Sequence, residues 1–194
     1  VVVLLHGLGS NEEDLMQVGE LLEERFTVIS LRAPLVSSYG GYAWFQIEWT
    51  ANGIRYDAAE AAAAISKVQK VLEEIQDQTG VRRERFIVGG FSQGSMISLG
   101  ATLAAPTVVG GLLFMSGQMV PELEAMGKPN SLVGLRALVQ HGLQDEVLPA
   151  SGGRETKSFL ERLGATVEFH EYKMGHAISQ ESFTHIIGWL GKFS

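Results

Sequence analysis

Ser92, within the pentapeptide Gly90-Phe91-Ser92-Gln93-Gly94, stands in a setting that suggests nucleophilic chemistry. Alone, G-x-S-x-G is a weak signal that needs its context. Here an apolar run, Phe86-Ile87-Val88, leads in, and a helical pattern of Met96, Ile97, Leu99 and Leu103 leads out. That context predicts a strand–turn–helix elbow with the hydroxyl exposed at the strand's C-terminal end. Glycines at both ends suit a bend in which side chains would collide, and a helix N-terminus favours negative charge developing nearby. Ser92 is read as a nucleophile, against the plainer reading of a glycine-rich turn.

A serine hydroxyl attacks poorly unless a base takes its proton. Of the five histidines, His6 and His141 each precede a glycine at a strand end and are read as satisfying turn backbone. His170 alternates within a strand, and His185 lies off the apolar stripe of the last helix, where it is expected to be solvated. His176, in the loop Met174-Gly175-His176-Ala177 between the last strand and the last helix, is the expected base. The third member must be an acid that orients the imidazole and stabilises its charged form. Asp145, shortly after the strand 135–140, fills that role, with Glu146 as the adjacent competitor and Asp57 as a distant one. The order Ser92…Asp145…His176 is that of α/β-hydrolases, and other large groups of serine hydrolases use other orders.

A tetrahedral intermediate needs two fixed N–H donors. The backbone N–H of Gln93 is the expected first donor. The second is expected from the loop His6-Gly7-Leu8-Gly9, as the N–H of Leu8. That loop could also be simple turn geometry or a phosphate cradle, but it is no P-loop, since no Gly-Lys-Ser/Thr follows.

The elements that must position these residues alternate. Strands are predicted at 1–5, 27–31, 85–90, 110–116, 135–140 and 165–172, and helices at 11–25, 57–79, 93–104, 152–163 and 179–192. Ala58, Ala61, Ile65, Val68, Leu72 and Ile75 form one stripe on the second helix. Ser10 and Glu13 read as a capping box opening the first helix, and Gly80 as the stop of the second. Such alternation implies a mostly parallel sheet with helices on both faces, and ligands bind where loops leave the carboxyl ends of its strands. Two long connections, 32–56 and 117–134, are too small for a cap domain, so residues 1–194 are expected to form one domain.

The chain has 194 residues, 45% hydrophobic and 19% charged, which suits a soluble globular protein. A net charge of −7 argues against nucleic acid or anionic lipid as a partner. No cysteine is present, which removes disulfides and thiolate chemistry and fits a cytoplasmic protein. Val1–Leu5 is too short for a signal peptide and reads as a buried strand, so the chain is expected to begin inside the domain. No H-E-x-x-H or clustered His/Asp pattern suggests a metal.

Six separated segments resemble the bacterial phospholipase/carboxylesterase family of serine esterases, relatives of acyl-protein thioesterases. They are L-H-G-L-G-S-N-E-E-D-L (5–15), R-A-P (32–34), Y-A-W-F (42–45), G-F-S-Q-G (90–94), H-G-L-Q-D-E-V-L-P (141–149) and M-G-H (174–176). The resemblance implies an α/β-hydrolase fold without a large cap or cofactor, often dimeric, acting on modest-sized esters or thioesters. It supports Ser92, Asp145 and His176 as triad and Leu8 and Gln93 as donors. It suggests Trp44 and Phe45 on the acyl side, though both could equally anchor the 32–56 loop in the core. Ser10 and Gln46 stand where thioesterase members commonly have Asp, and the usual leading strand or hairpin is missing. A thioesterase would need an elongated groove, for which Met115, Met119, Val120, Leu123 and Met126 are candidates, although core packing explains them as well. The expected site is shallow and favours short acyl chains. A non-catalytic small-molecule receptor on the same fold is the alternative of another class.

Overall fold

Strand pairing in this chain follows from how completely its strands are apolar. In the computed structural model, which describes residues 1–20, 22, 25–50 and 53–193, β1 (Val2–Leu5) is buried at every position. Val3 and Leu5 enter one core and Val2 and Leu4 another, because successive side chains of a strand point to opposite faces. β8 (Gly111–Met115) divides likewise, with Leu112 and Phe114 on the first face and Leu113 and Met115 on the second. An apolar side chain on each face demands a helical layer on each face.

With β2 (Val28–Leu31), β7 (Ile87–Phe91), β9 (Arg136–Gly142) and β10 (Thr166–Tyr172), these strands form a six-stranded parallel sheet in the order β10-β9-β8-β7-β1-β2. The first core is covered by α2 (Ala58–Thr79), α3 (Gln93–Ala104), α4 (Pro121–Met126) and α5 (Ser151–Arg162). The second is covered by α1 (Met16–Glu20) and α6 (Gln180–Leu190). The fold is that of an α/β-hydrolase. Chain order reverses at β1, which lies between β2 and β7, and this brings the loops after β1 and β7 side by side. Among the described residues, no helix is long and apolar enough to cross a membrane.

The predicted strands appear within one or two residues of their expected limits, and α2 and α3 nearly coincide with theirs. Asp57 caps α2 by accepting from the Ala59 N–H at 2.8 Å, and Gly80, at φ 62°, ends it. The α2 stripe is shifted slightly: Ala61, Ala64, Ile65, Val68 and Leu72 are buried, whereas Ala58 is exposed and Ile75 half-buried.

The first helix is shorter than its pattern. Helix 11–25 is reduced to Met16–Glu20, with positions 21, 23 and 24 outside the described residues. No capping box forms at Ser10. Its carbonyl accepts from the Tyr42 N–H at 2.8 Å, while Gly9 N–H donates to the Tyr42 carbonyl, so pairing with Tyr42 claims this segment before a helix can start. Asn11 instead accepts from the Glu13 N–H at 2.8 Å. The connection 32–56 holds two antiparallel hairpins, β3 (Leu35–Val36) with β4 (Tyr42–Ala43) and β5 (Ile47–Thr50) with β6 (Gly53–Tyr56). The connection 117–134 holds α4.

Leu72 is fully buried on the α2 face that packs into the first core. Leu72→Ala is expected to cost about 2–5 kcal/mol in urea unfolding. Turnover per folded molecule should be unchanged, because the residue lies away from the site.

Candidate active site

Ser92 occupies the turn between β7 and α3 at φ 53° and ψ −119°, a left-handed conformation rare for a residue with a side chain. Its N–H donates to the Met115 carbonyl at 2.9 Å, tying the turn to the neighbouring strand. The two flanking glycines are sterically required. A Cβ on Gly90 would stand 2.2 Å from the Gly94 carbonyl carbon, and one on Gly94 would stand 2.1 Å from the Leu5 carbonyl oxygen.

His176 and Asp145 reach Ser92 from the ends of β10 and β9. Ser92 Oγ lies 2.9 Å from His176 Nε2, and His176 Nδ1 lies 2.7 Å from Asp145 Oδ2. The two loops are cross-tied: Leu143 N–H donates to the Tyr172 carbonyl at 2.8 Å and Gln144 N–H to the Met174 carbonyl at 3.0 Å. Phe91 packs on the His176 ring with centroids 4.9 Å apart. The Asp145 side chain is buried, which alone would raise its carboxyl. Hydrogen bonds from the Leu148 N–H, His176 and the Val147 N–H outweigh burial and hold it below the usual carboxylate range. Its competitors lie elsewhere, Glu146 exposed and Asp57 capping α2.

Leu8 and Gln93 border the same cavity as Ser92 and His176. Gln93 is the first residue of α3, so its N–H has no acceptor within the helix. In the loop after β1, Gly9 N–H donates to Tyr42 and Ser10 N–H to Gly7, and the Leu8 N–H between them has no backbone acceptor among the described residues.

The side chain of Gln93 does work that its backbone role did not suggest. Its Oε1 accepts from the Trp44 N–H at 2.8 Å and its Nε2 donates to the Phe45 carbonyl at 2.7 Å, clamping that segment to α3. Trp44 is a core anchor, buried with its indole N–H donating to the His6 carbonyl at 2.8 Å, and it does not border the cavity. Phe45 does border it, with Ile47, Tyr56 and Met96. Met119, expected among the substrate-binding residues, lies in a separate depression beside Arg154 and Phe159, just before α4, and does not line the cavity at Ser92. Met115 is core, whereas Val120, Leu123 and Met126 line a second apolar cavity. The cavity walls from β5, β6 and the loop after Asp145 were missed, as no local pattern marks Ile47, Trp49, Ile54 or Leu148 as lining residues.

The other histidines have partners. His6 Nδ1 lies 2.7 Å from the Gly7 carbonyl and Nε2 accepts from the Ala33 N–H, and burial pushes its imidazole below the ordinary range. His185 is not solvated as expected. It is half-buried, its Nδ1 is 2.8 Å from the Tyr172 hydroxyl, and its ring is 4.6 Å from that of His170, since β10 supplies polar partners that the α6 stripe could not reveal.

Fold and site together define an α/β-hydrolase with a serine, a histidine and a buried carboxylate in line. The sequence profile of the phospholipase/carboxylesterase family matches residues 1–194. The chain belongs to that family of carboxylic ester hydrolases. It is 26% identical to acyl-protein thioesterase 1 of Kluyveromyces lactis, over 99% of this chain and 91% of that protein. It is 28% identical to a probable carboxylesterase of Oryza sativa subsp. japonica, over 97% of this chain and 86% of that protein. The solved structure of esterase PE8 superposes with a TM-score of 0.84 at 29% identity, covering 100% of this chain and 92% of the other.

Gly94→Ala tests the elbow. Its methyl group would meet the backbone oxygens of Leu5 and His6 at the end of β1, so α3 must lift from the sheet. The expected outcome is a loss of about 1–3 kcal/mol or more in stability, read by thermal unfolding, with turnover falling in the protein that remains folded.

Proposed function

We propose that this chain hydrolyses modest-sized carboxylic esters through an acyl-enzyme on Ser92. The observation that carries the reading is the hydrogen-bonded line from Ser92 through His176 to Asp145, opening on an apolar cavity of about 290 Å³. Ser92 Oγ attacks the ester carbonyl carbon as its proton passes to His176 Nε2. The oxyanion forms against the N–H groups of Leu8 and Gln93. Collapse expels the alcohol, which takes the proton from His176. Water then attacks the acyl carbon with His176 again as base, releasing the acid and restoring Ser92. Asp145 stays ionised throughout and stabilises the imidazolium. The names of the rice relative and of the solved esterase support the ester reading.

The acyl group fits the cavity beside Phe45, Ile47, Tyr56 and Met96, with the exposed Tyr39, Trp49 and Val147 at its mouth. A second apolar cavity, about 390 Å³, lies beyond and shares Phe45, Tyr56 and Met96 as walls. Tyr56 is held there by its hydroxyl, which donates to Glu122 Oε2 at 2.7 Å, and by Phe45, 5.2 Å away between ring centroids. With that wall in place the first cavity takes short chains. The second cavity favours a further reading, a thioesterase or lysophospholipase acting on longer acyl chains at the same serine, in keeping with the acyl-protein thioesterase relative. A small-molecule ester is the proposed partner, and the family resemblance supports a homodimer. The acidic charge speaks against nucleic acid, and the lack of cysteine fits a cytoplasmic setting.

Fluorophosphonate labelling separates a hydrolase, modified at Ser92, from a receptor that is not. Ser92→Ala and His176→Ala are each expected to remove nearly all turnover, with the double variant scarcely worse, because the groups act as a unit. The Asp145 carboxyl, held below its usual range, should add no step to the pH profile of kcat/KM near neutrality. Multiplicative losses in the double variant would reject the assignment.

Chain length is tested with p-nitrophenyl esters and matching acyl-CoA thioesters. Each methylene buried contributes about 0.8 kcal/mol, so kcat/KM should climb with length and then level off once the first cavity is full. Tyr56→Ala joins the two cavities and should move that plateau to longer chains. A wild-type rise that continues to long chains would favour the lipid or acyl-protein reading.

A further inference from the structure

The imidazole of His141 lies against the same Asp145 oxygen that His176 uses. Its side chain is fully buried at the end of β9, with Nε2 3.1 Å from the Leu148 carbonyl and 3.3 Å from Asp145 Oδ2. One nitrogen facing two acceptors sets the tautomer: the proton is on Nε2, shared between them. Nδ1 has no hydrogen-bond partner among the described residues. A lone pair suits that position better than a proton, since a buried N–H without an acceptor is costly.

Asp145 therefore gathers donors on both oxygens. Oδ1 accepts from the N–H groups of Val147 at 2.9 Å and Leu148 at 2.8 Å, and Oδ2 faces His176 and His141. The ring has little room to withdraw, because α5 backs closely onto it. A Cβ on Gly153 would stand 3.0 Å from His141 Cβ and 3.1 Å from Nδ1, which accounts for glycine in the first turn of a helix.

We propose that His141 is a positioning residue for the reaction at Ser92. Its Nε2–H closes the 145–148 turn through the Leu148 carbonyl and holds the Asp145 carboxylate against His176. The inference rests on the reading of Asp145 as the acid of the triad. His141 does not border the cavity at Ser92, so it acts only through Asp145. A neutral donor suits the task. Lysine or arginine at this place would offset the negative charge that stabilises the imidazolium of His176.

Glutamine can place its amide nitrogen near the position of imidazole Nε2, whereas the asparagine nitrogen reaches only as far as Nδ1. His141→Asn is expected to lower kcat about tenfold or more, the rate equivalent of losing one hydrogen bond to a charged group, with KM within about twofold. His141→Gln should recover most of that loss. In an Asp145→Asn background, His141→Asn should remove less than about threefold more, because groups acting as a unit are not additive. Thermal unfolding of each variant confines the comparison to folded protein. In the wild type, ¹⁵N NMR of labelled histidine should show the proton on Nε2, a reading that needs no variant to fold. Equal losses in the Asn and Gln variants, the same fold-loss in both backgrounds, or a proton on Nδ1 would overturn the proposal and leave a packing role. If Asp145→Asn keeps wild-type kcat, the triad reading falls and this proposal with it. If Asp145→Asn is inactive while His141→Asn is fully active, only the positioning role falls.

Discussion

The left-handed backbone at Ser92 is a local conformation that costs on the order of 1–3 kcal/mol and survives only where the surroundings over-determine it. They do so here by close approach. α3 presses onto the end of β1 so tightly that the Gly94 position leaves no space for a methyl group, and Gly90 meets Gly94 across the turn. β1 and β7 are paired in register, Leu5 opposite Gly90, so the strand that carries the serine and the loop that carries Leu8 start from the same level. Ser92 is half-buried and held in place because the backbone beneath it has no slack. The site's other distances depend on that.

The second constraint is electrostatic. A carboxylate removed from water must be compensated by hydrogen bonds or it takes a proton. Asp145 is compensated chiefly by its own loop, whose Val147 and Leu148 N–H groups bond one oxygen, while the other faces His176. These bonds hold the Asp145 carboxyl below its usual range and fix it against His176. Because the loops after β9 and β10 are bonded to each other, a displacement of either would move both Asp145 and His176.

The walls of the two cavities are built from different material. The hairpins of residues 32–56 and the short α4 stand outside the sheet, yet they supply Phe45, Ile47, Trp49, Tyr56 and Leu123 to the two cavities. Gln93 joins the two systems, since it follows Ser92 at the start of α3 and borders the cavity while its side chain clamps Trp44 and Phe45. Ser92, Asp145 and His176 stand just beyond strand ends of the sheet, and most cavity walls come from segments that pack on it.

Local regularities made much of this legible. The apolar runs of Val2–Leu5 and Leu112–Met115, the stripe on α2 and the glycines around Ser92 are short-range signals, and short-range sterics and burial were enough to imply a parallel sheet, its helices and the elbow. The order of Ser92, Asp145 and His176 along the chain indicated which strand ends to compare. Tertiary structure alone decided what depended on neighbours distant in the chain. Ser10 pairs with Tyr42 and so opens no helix, His185 finds Tyr172, Trp44 turns inward while Phe45 faces the cavity, and Met119 lines a separate depression. A residue's type and spacing set its preference for burial or pairing, but which partner satisfies that preference depends on what the fold brings within a few ångströms. For side chains on irregular loops, no period in the sequence encodes it.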